Sequence, residues 1–154
     1  MQRGHKVTFL SSFFNYERTG VRTYANGLKF YYVPFLPWIK GNVSFFHNWF
    51  DVSIIRQILI REQVEVVHGH MATSLLSQLT LTNAKMMGLK TVFTEHSLYQ
   101  FNDAAGINLN KVATYFFTEL DASIAVSHIC KENIFLRLKL DPYQCFVIPN
   151  AVDT

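Results

Sequence analysis

Short apolar runs alternate along this chain with longer segments in which apolar residues recur every third or fourth position. The runs His5 to Leu10, Leu28 to Val33, Glu65 to His68, Lys90 to Thr94, Ala122 to Val126 and Cys145 to Ile148 read as strands. Between them, Ser44 can cap a helix reaching about Gln63, with Phe45, Trp49, Val52, Ile55 and Leu59 along one side and His47, Asp51, Arg56 and Arg61 mostly on the other. Ala72 to Met87 predicts a second helix, with Gly88 placed for a left-handed C-cap. Ser97 to Ile107 reads as a loop, Asn108 to Glu119 and His128 to Leu138 as helices, and Asp141-Pro142 as a turn. Thr19-Gly20 and Asn26-Gly27 are isolated turn signals. Strand followed by helix, repeated, predicts an α/β fold: a Rossmann-like, mostly parallel sheet with helices on both faces.

Ligands in open parallel sheets bind outside the carboxyl ends of the strands, so residues that close neighbouring strands converge on one crevice. Four runs end on a residue able to hydrogen-bond or titrate: His70, His96, Ser127 and Asn150. His68-Gly69-His70 alternates, which turns both imidazoles to the same face. That pair fits a ligand crevice, a shared metal ion, or a plain strand end with one ring bonded to backbone. Thr94-Glu95-His96-Ser97 sets a histidine beside a carboxylate and a hydroxyl, a grouping suited to holding a sugar hydroxyl or stabilising developing charge. Its plain alternative is a histidine bonded to the following loop. Ser127 can cap the next helix while the free amides and the macrodipole offer a place for phosphate, with Lys131 one turn in as a point charge. A serine there is more commonly a cap alone.

A length of 154 residues and a hydrophobic fraction of 49% suit a domain with a proper core, and 16% charged residues argue against disorder. The formal charge of +3 fits a phosphate-bearing ligand or an anionic membrane surface and falls far short of a nucleic-acid-binding face. Cys130 and Cys145 make no disulfide framework or zinc spacing, which suits a reducing, cytosol-facing location. No stretch approaches the ~20 consecutive apolar residues of a spanning helix. The aromatic segment from Phe30 to Phe50 holds Trp38 and Trp49 with Lys29 and Lys40 nearby, a composition shared by core packing and by contact with a lipid interface.

Several segments taken together resemble the catalytic subunit family of phosphatidylinositol N-acetylglucosaminyltransferase, which starts glycosylphosphatidylinositol (GPI) anchor synthesis. They are Arg3-Gly4-His5-Lys6-Val7, Gly27 to Pro34, Val67-His68-Gly69-His70, Ala84 to Leu98, Val126-Ser127 with Lys131-Glu132-Asn133, and Val147 to Asp153. The stretch from Ala84 to Leu98 is specific to this family, whereas Pro149-Asn150-Ala151-Val152-Asp153 is shared by many glycosyltransferases of the same class.

The resemblance implies a retaining, GT-B-type enzyme with two Rossmann-like domains across a cleft, the first holding the acceptor and the second UDP-N-acetylglucosamine. Residues 1–149 then match the acceptor-side domain, without its first βα unit, and 150–154 the start of the interdomain linker. The donor domain is expected outside this sequence, and Met1 to Gly4 read as the end of a helix whose body precedes it. By the same resemblance His96 is the catalytic position contacting the transferred sugar, while His70, Glu95, Ser97, Ser127, Lys131 and Asn150 bind substrate. No metal or other cofactor is expected. The implied partners are phosphatidylinositol, UDP-N-acetylglucosamine, other transferase subunits and a membrane surface, with no nucleic acid, at the cytosolic face of the endoplasmic reticulum. The family pattern is not followed everywhere: Gly69, Met71 and Ala72 stand where serines are expected, Glu95 replaces aspartate, and Ile129 and Cys130 replace small hydroxyl residues. A non-catalytic fragment that binds lipid or partner subunits is the rival reading, and a metal hydrolase built on His68 and His70 a third.

Overall fold

Residues 4–13, 19–34, 48–98 and 104–151 are described by a computed structural model. The chain divides into two compact units, Met1–Ile58 and Leu59–Thr154. In the first, β1 (Thr8–Phe13), β2 (Gly20–Thr23) and β3 (Lys29–Pro34) form a sheet ordered β1-β3-β2, β1 parallel and β2 antiparallel to β3. The expected first strand is displaced toward the C-terminus. Register explains the shift: Thr8 pairs with Lys29 and Phe13 with Pro34, so the partner strand fixes the ends, and Ser11 and Ser12 continue a run that their polarity had seemed to close.

β2 lies where only turn signals were read. Its four residues are all exposed, so no burial alternation marks it in the sequence. The Asn26-Gly27 turn signal does close this hairpin: Tyr24 N–H donates to Leu28 O at 2.9 Å, Asn26 Oδ1 accepts from Leu28 N–H at 3.1 Å, and Gly27 takes a φ of 82°. Tyr31 and Val33 on one face of the sheet are buried.

Helix α1 (Asn48–Arg61) carries buried Ile55, Ile58 and Leu59, three of the spaced apolar positions expected of it or adjoining them. The expected Ser44 cap, Phe45, His47 and Trp38 lie outside the described residues, as do Met1 to Arg3.

The second unit holds β4 (Val66–His70), α2 (Leu75–Met86), β5 (Lys90–Glu95), α3 (Ala104–Phe117), β6 (Ala122–Ala125), α4 (His128–Leu138), a short 3₁₀ turn at Pro142–Gln144 and β7 (Cys145–Val147). The strands form a parallel sheet in the order β4-β5-β6-β7. The expected α/β class, a parallel sheet flanked by helices, is what this unit shows. Every crossover advances one strand in the same direction, so right-handed connections lay α2, α3 and α4 side by side. Accordingly α2 packs on α3 and α3 on α4. Fully buried Phe93 of β5 stacks on fully buried Phe117 of α3, ring centroids 4.5 Å apart.

Two helix starts differ from expectation. α2 begins at Leu75, because the backbone from Met71 is already engaged elsewhere and Ser74 supplies the cap, its Oγ accepting from Ser77 N–H at 3.3 Å. α3 begins at Ala104, inside the expected loop; Ala104 and Ala105 are strong helix formers and outweigh Gly106. The end of α2 follows its sequence signal. Gly88, at φ 77°, donates to Lys85 O while Leu89 N–H reaches Ala84 O, both at 2.9 Å, which is the Schellman closure.

Candidate active site at the strand ends

Parallel pairing sets His70 level with Thr94, Glu95 level with Ala125, and Ala125 level with Val147. The carboxyl ends of β4 to β7 therefore share one edge of the sheet, where the strand-end rule places a ligand. Two further backbone bonds prolong the ladder: Met71 N–H to Thr94 O at 3.1 Å and Ile148 N–H to Ala125 O at 2.9 Å.

Three imidazoles gather on that edge. His68 and His70 sit two apart on β4 and so point to one face, their rings stacked with centroids 4.4 Å apart. His70 then stacks on His96, centroids 5.3 Å apart, and His70 Nδ1 lies 3.0 Å from His96 Nε2. One of these nitrogens donates N–H to the lone pair of the other, so the accepting ring is neutral. His68 Nε2 is tied at 2.7 Å to Thr94 Oγ1 on the neighbouring strand. Burial, with the positive charge that His70 and His96 would carry, pushes His68 below the ordinary imidazole range; burial and then His96 do the same to His70. His68 and His70 thus favour the neutral ring, which donates one proton and accepts one.

Glu95 faces the other way. Its side chain is fully buried, and both carboxylate oxygens are occupied: Oε2 accepts from Ala72 N–H at 2.9 Å, and Oε1 from the N–H groups of His96 and Ser97 at 3.0 Å and Ser97 Oγ at 2.8 Å. This carboxylate pins the loop after β4 to the loop after β5 and so sets the backbone that carries His70 and His96. Ser97 spends its hydroxyl proton in the same bond. Met71, between His70 and Ala72, is held at φ 60°, a conformation an unbranched side chain enters only at some cost.

Ser127 caps α4, its Oγ accepting from Cys130 N–H at 3.1 Å. Cys130 Sγ approaches Glu95 O and Ser97 O at 3.6 and 3.7 Å, which ties the first turn of α4 to the end of β5. Burial pushes this thiol up, and both cysteines are free and buried. Lys131 directs its ammonium to Cys145 O at 2.6 Å, at the opening of β7, and lines a groove of about 300 Å³ along α4 with Ile129, Phe135 and Pro142. Asn150 is exposed beyond β7. The structure therefore joins His70 to His96 directly and sets Glu95 and Ser97 behind them, while the Lys131 ammonium is engaged elsewhere.

His68 stands beside His70 as their alternation in the sequence suggested, and Thr94 joins the cluster through its bond to His68. That contact follows from the parallel register, which brings one strand against its neighbour and is invisible in a single run. Among the described residues, no group of three or more His, Cys, Asp or Glu is arranged to hold a metal ion. Here His68 Nε2 is bonded to Thr94 Oγ1 and His70 Nδ1 to His96 Nε2.

Gly69 lies between the two histidines on the helix-facing side and is buried. A Cβ there would overlap Ser77 Oγ and come within 2.6 Å of Leu81 Cδ1, so a side chain at 69 would require those two α2 side chains to shift.

The family model described as PIGA (GPI anchor biosynthesis) matches residues 14–103. Across the whole chain the sequence is 45% identical to an Arabidopsis thaliana protein named as a subunit of phosphatidylinositol N-acetylglucosaminyltransferase, of which it spans 34%. It is 44% identical over 97% of its length to the GPI3 subunit of the same transferase from Saccharomyces cerevisiae, spanning 32% of it. Identity to the Homo sapiens protein with the same name as the Arabidopsis one is 38% over 99% of this chain and 31% of that protein. The chain spans about a third of the length of these curated relatives. Among solved structures, a putative UDP-N-acetylglucosamine 2-epimerase from Listeria monocytogenes matches 93% of this chain and 44% of its own, with a TM-score of 0.54 at 15% identity, a likeness of fold.

Proposed function

Because the chain belongs to the PIGA family of GPI-anchor biosynthesis, we propose that it supplies the acceptor side of a retaining glycosyltransferase that moves N-acetylglucosamine from UDP-N-acetylglucosamine to phosphatidylinositol. The observation that carries this reading is the bonded His70–His96 pair at adjoining parallel strand ends, an arrangement of hydrogen-bonding ring nitrogens suited to sugar hydroxyls. Whole-chain likeness to relatives named for this transferase supports it.

In this reading His96 orients the transferred sugar. His70 holds His96 in place, and the strand ends present the inositol hydroxyl. Departure of the nucleotide is stabilised from the donor side of the cleft, and no metal takes part. Catalysis is chiefly positioning, since holding two reactants in register replaces a bimolecular encounter. Other transferase subunits complete the assembly at the cytosolic face of the endoplasmic reticulum.

The test is rescue of labelled N-acetylglucosamine transfer to phosphatidylinositol in yeast membranes lacking the GPI3 subunit. The rescuing protein is a chimera in which this chain replaces its matching segment. Transfer by the chimera, resistant to chelators and lost in His96→Ala, is expected. A chimera that assembles stably with the other subunits yet transfers nothing would sink the assignment and favour a non-catalytic binding role.

A further inference from the structure

Two side-chain bonds cross between β4 and β5, and the second repeats the first one step along. The register sets His68 level with Val92 and His70 level with Thr94. Yet His68 Nε2 reaches Thr94 Oγ1 at 2.7 Å, and His70 Nδ1 reaches His96 Nε2 at 3.0 Å. Each histidine bonds the residue two beyond its own partner, so the bonds form two diagonal rungs, one behind the other. Alternation keeps them together: Gly69 abuts α2 and Phe93 stacks on Phe117 of α3, which turns His68, His70 and Thr94 to the opposite face, where His96 meets them.

His70 and His96 form the front rung. Its single hydrogen bond does not fix His70 by itself, because an imidazole turns about two torsions and can bring either nitrogen round. The rear rung supplies the further restraint. His68 lies against the His70 ring, with centroids 4.4 Å and planes 27° apart, and so forms a platform that His70 cannot turn through. A platform restrains only if it is itself held, and Thr94 holds it. Thr94 is β-branched and 6% exposed, and its carbonyl is tied to the ladder by Met71 N–H at 3.1 Å. Its hydroxyl can donate or accept, which suits either tautomer of His68. Burial, then His70 and His96, keep His68 below the ordinary imidazole range, so near neutral pH the platform carries no charge that would repel His70.

We propose that Thr94 is a positioning residue for the transfer: its hydroxyl fixes His68, His68 fixes the plane of His70, and His70 presents His96 to the sugar. This rests on the reading of His96 as the residue that orients the sugar, and adds to it two residues that act through others.

Two substitutions separate the hydroxyl from packing. Thr94→Val keeps the branched shape and removes the hydroxyl, whereas Thr94→Ser keeps the hydroxyl and removes a buried methyl. In the GPI3 chimera, Thr94→Val should lower the transfer rate about ten-fold while Thr94→Ser stays within about three-fold of the parent. A role in packing alone gives the reverse order, because valine fills the site and suits a strand better than serine. A Thr94→Val chimera at least as active as Thr94→Ser would overturn the proposal.

The rings are read directly in nitrogen–proton correlation spectra of the imidazoles in the 154-residue chain, with circular dichroism to check the fold of each variant. Of the facing His70 and His96 nitrogens, one should appear protonated and the other bare. In Thr94→Val and in His68→Ala both should move toward the average of a freely exchanging ring, and in Thr94→Ser both should stay in place. Unchanged His70 and His96 signals in Thr94→Val or His68→Ala would sink the proposal whatever the transfer assay shows. A parent chimera that transfers nothing removes the role given to His96, while the spectra still decide whether Thr94 sets the pair.

Discussion

One hydrogen bond joins His70 Nδ1 and His96 Nε2 across 3.0 Å, so the two rings are held as a pair. His68 and His70 both hold their protons less tightly than free imidazoles. An unfolded chain takes up protons below about pH 6.5, where the folded one still resists them. Stability should therefore be flat above that pH, fall as pH drops from about 6.5 through the depressed folded values, and level off below them. Urea midpoints measured on either side of the window test this, and the fall should shrink in a His68→Gln/His70→Gln double variant. An equally steep fall in that variant would locate the titration elsewhere. Glu95 makes a separate prediction, because four donors converge on a fully buried carboxylate. Glu95→Gln turns an amide NH₂ toward some of them and should cost about 2–3 kcal/mol. A loss under about 1 kcal/mol would mean that the two loops are held by other contacts.

Elements were legible in the sequence wherever burial is periodic. The strand ends that carry His70 and His96 could be read from apolar runs, and the end of α2 from Gly88. β2 could not be read, because an edge strand with no buried residue has no alternation to show. The start of α2 was obscured for a different reason: the Ala72 amide bonds to Glu95, a residue 23 positions away, and no local pattern encodes that contact. Two predictions belong here. Gly69→Ala should destabilise by about 1–3 kcal/mol, since Ser77 and Leu81 stand in the new methyl's space. At the other end of the sheet, Asp121 clamps β5 to the start of β6. It accepts from Thr91 Oγ1 at 2.8 Å, Thr91 N–H at 2.9 Å and Lys90 Nζ at 3.1 Å, with Lys85 Nζ 3.4 Å away. The Thr91 hydroxyl above all, then the Thr91 amide, Lys90 and Lys85, hold this carboxyl well below the usual carboxylate range. Its contribution is present above the unfolded value of about 3.9 and is lost as pH falls toward the folded one. Wild type should exceed Asp121→Asn by about 1–2 kcal/mol at neutral pH, with the gap closing below about pH 4.

At the scale of the whole molecule, the two units differ in how their backbones are protected. β5 and β6 are flanked on both sides by parallel partners, with Phe93 and Ala125 wholly buried. β2 is an edge strand exposed along its full length. Amide hydrogen exchange should therefore be slowest at β5 and β6 and fast at β2, whose amides need only local opening. Uniform protection of β2 and β5 would mean that the units open together. The candidate site was legible at this scale only as a set of strand ends. That three imidazoles meet there depended on strand order, which sequence patterns constrain but do not determine.

The tight passage of α2 over Gly69 also has an evolutionary reading. Any side chain at position 69 demands a smaller neighbour at 77 or a relocated one at 81, so the three positions behave as a single heritable character. A serine introduced at 69 alone should be selected against, while the same change accompanied by Ser77→Gly should be far better tolerated. The order in which such substitutions arise would then be constrained, with the helix position opening the path before the strand position can move.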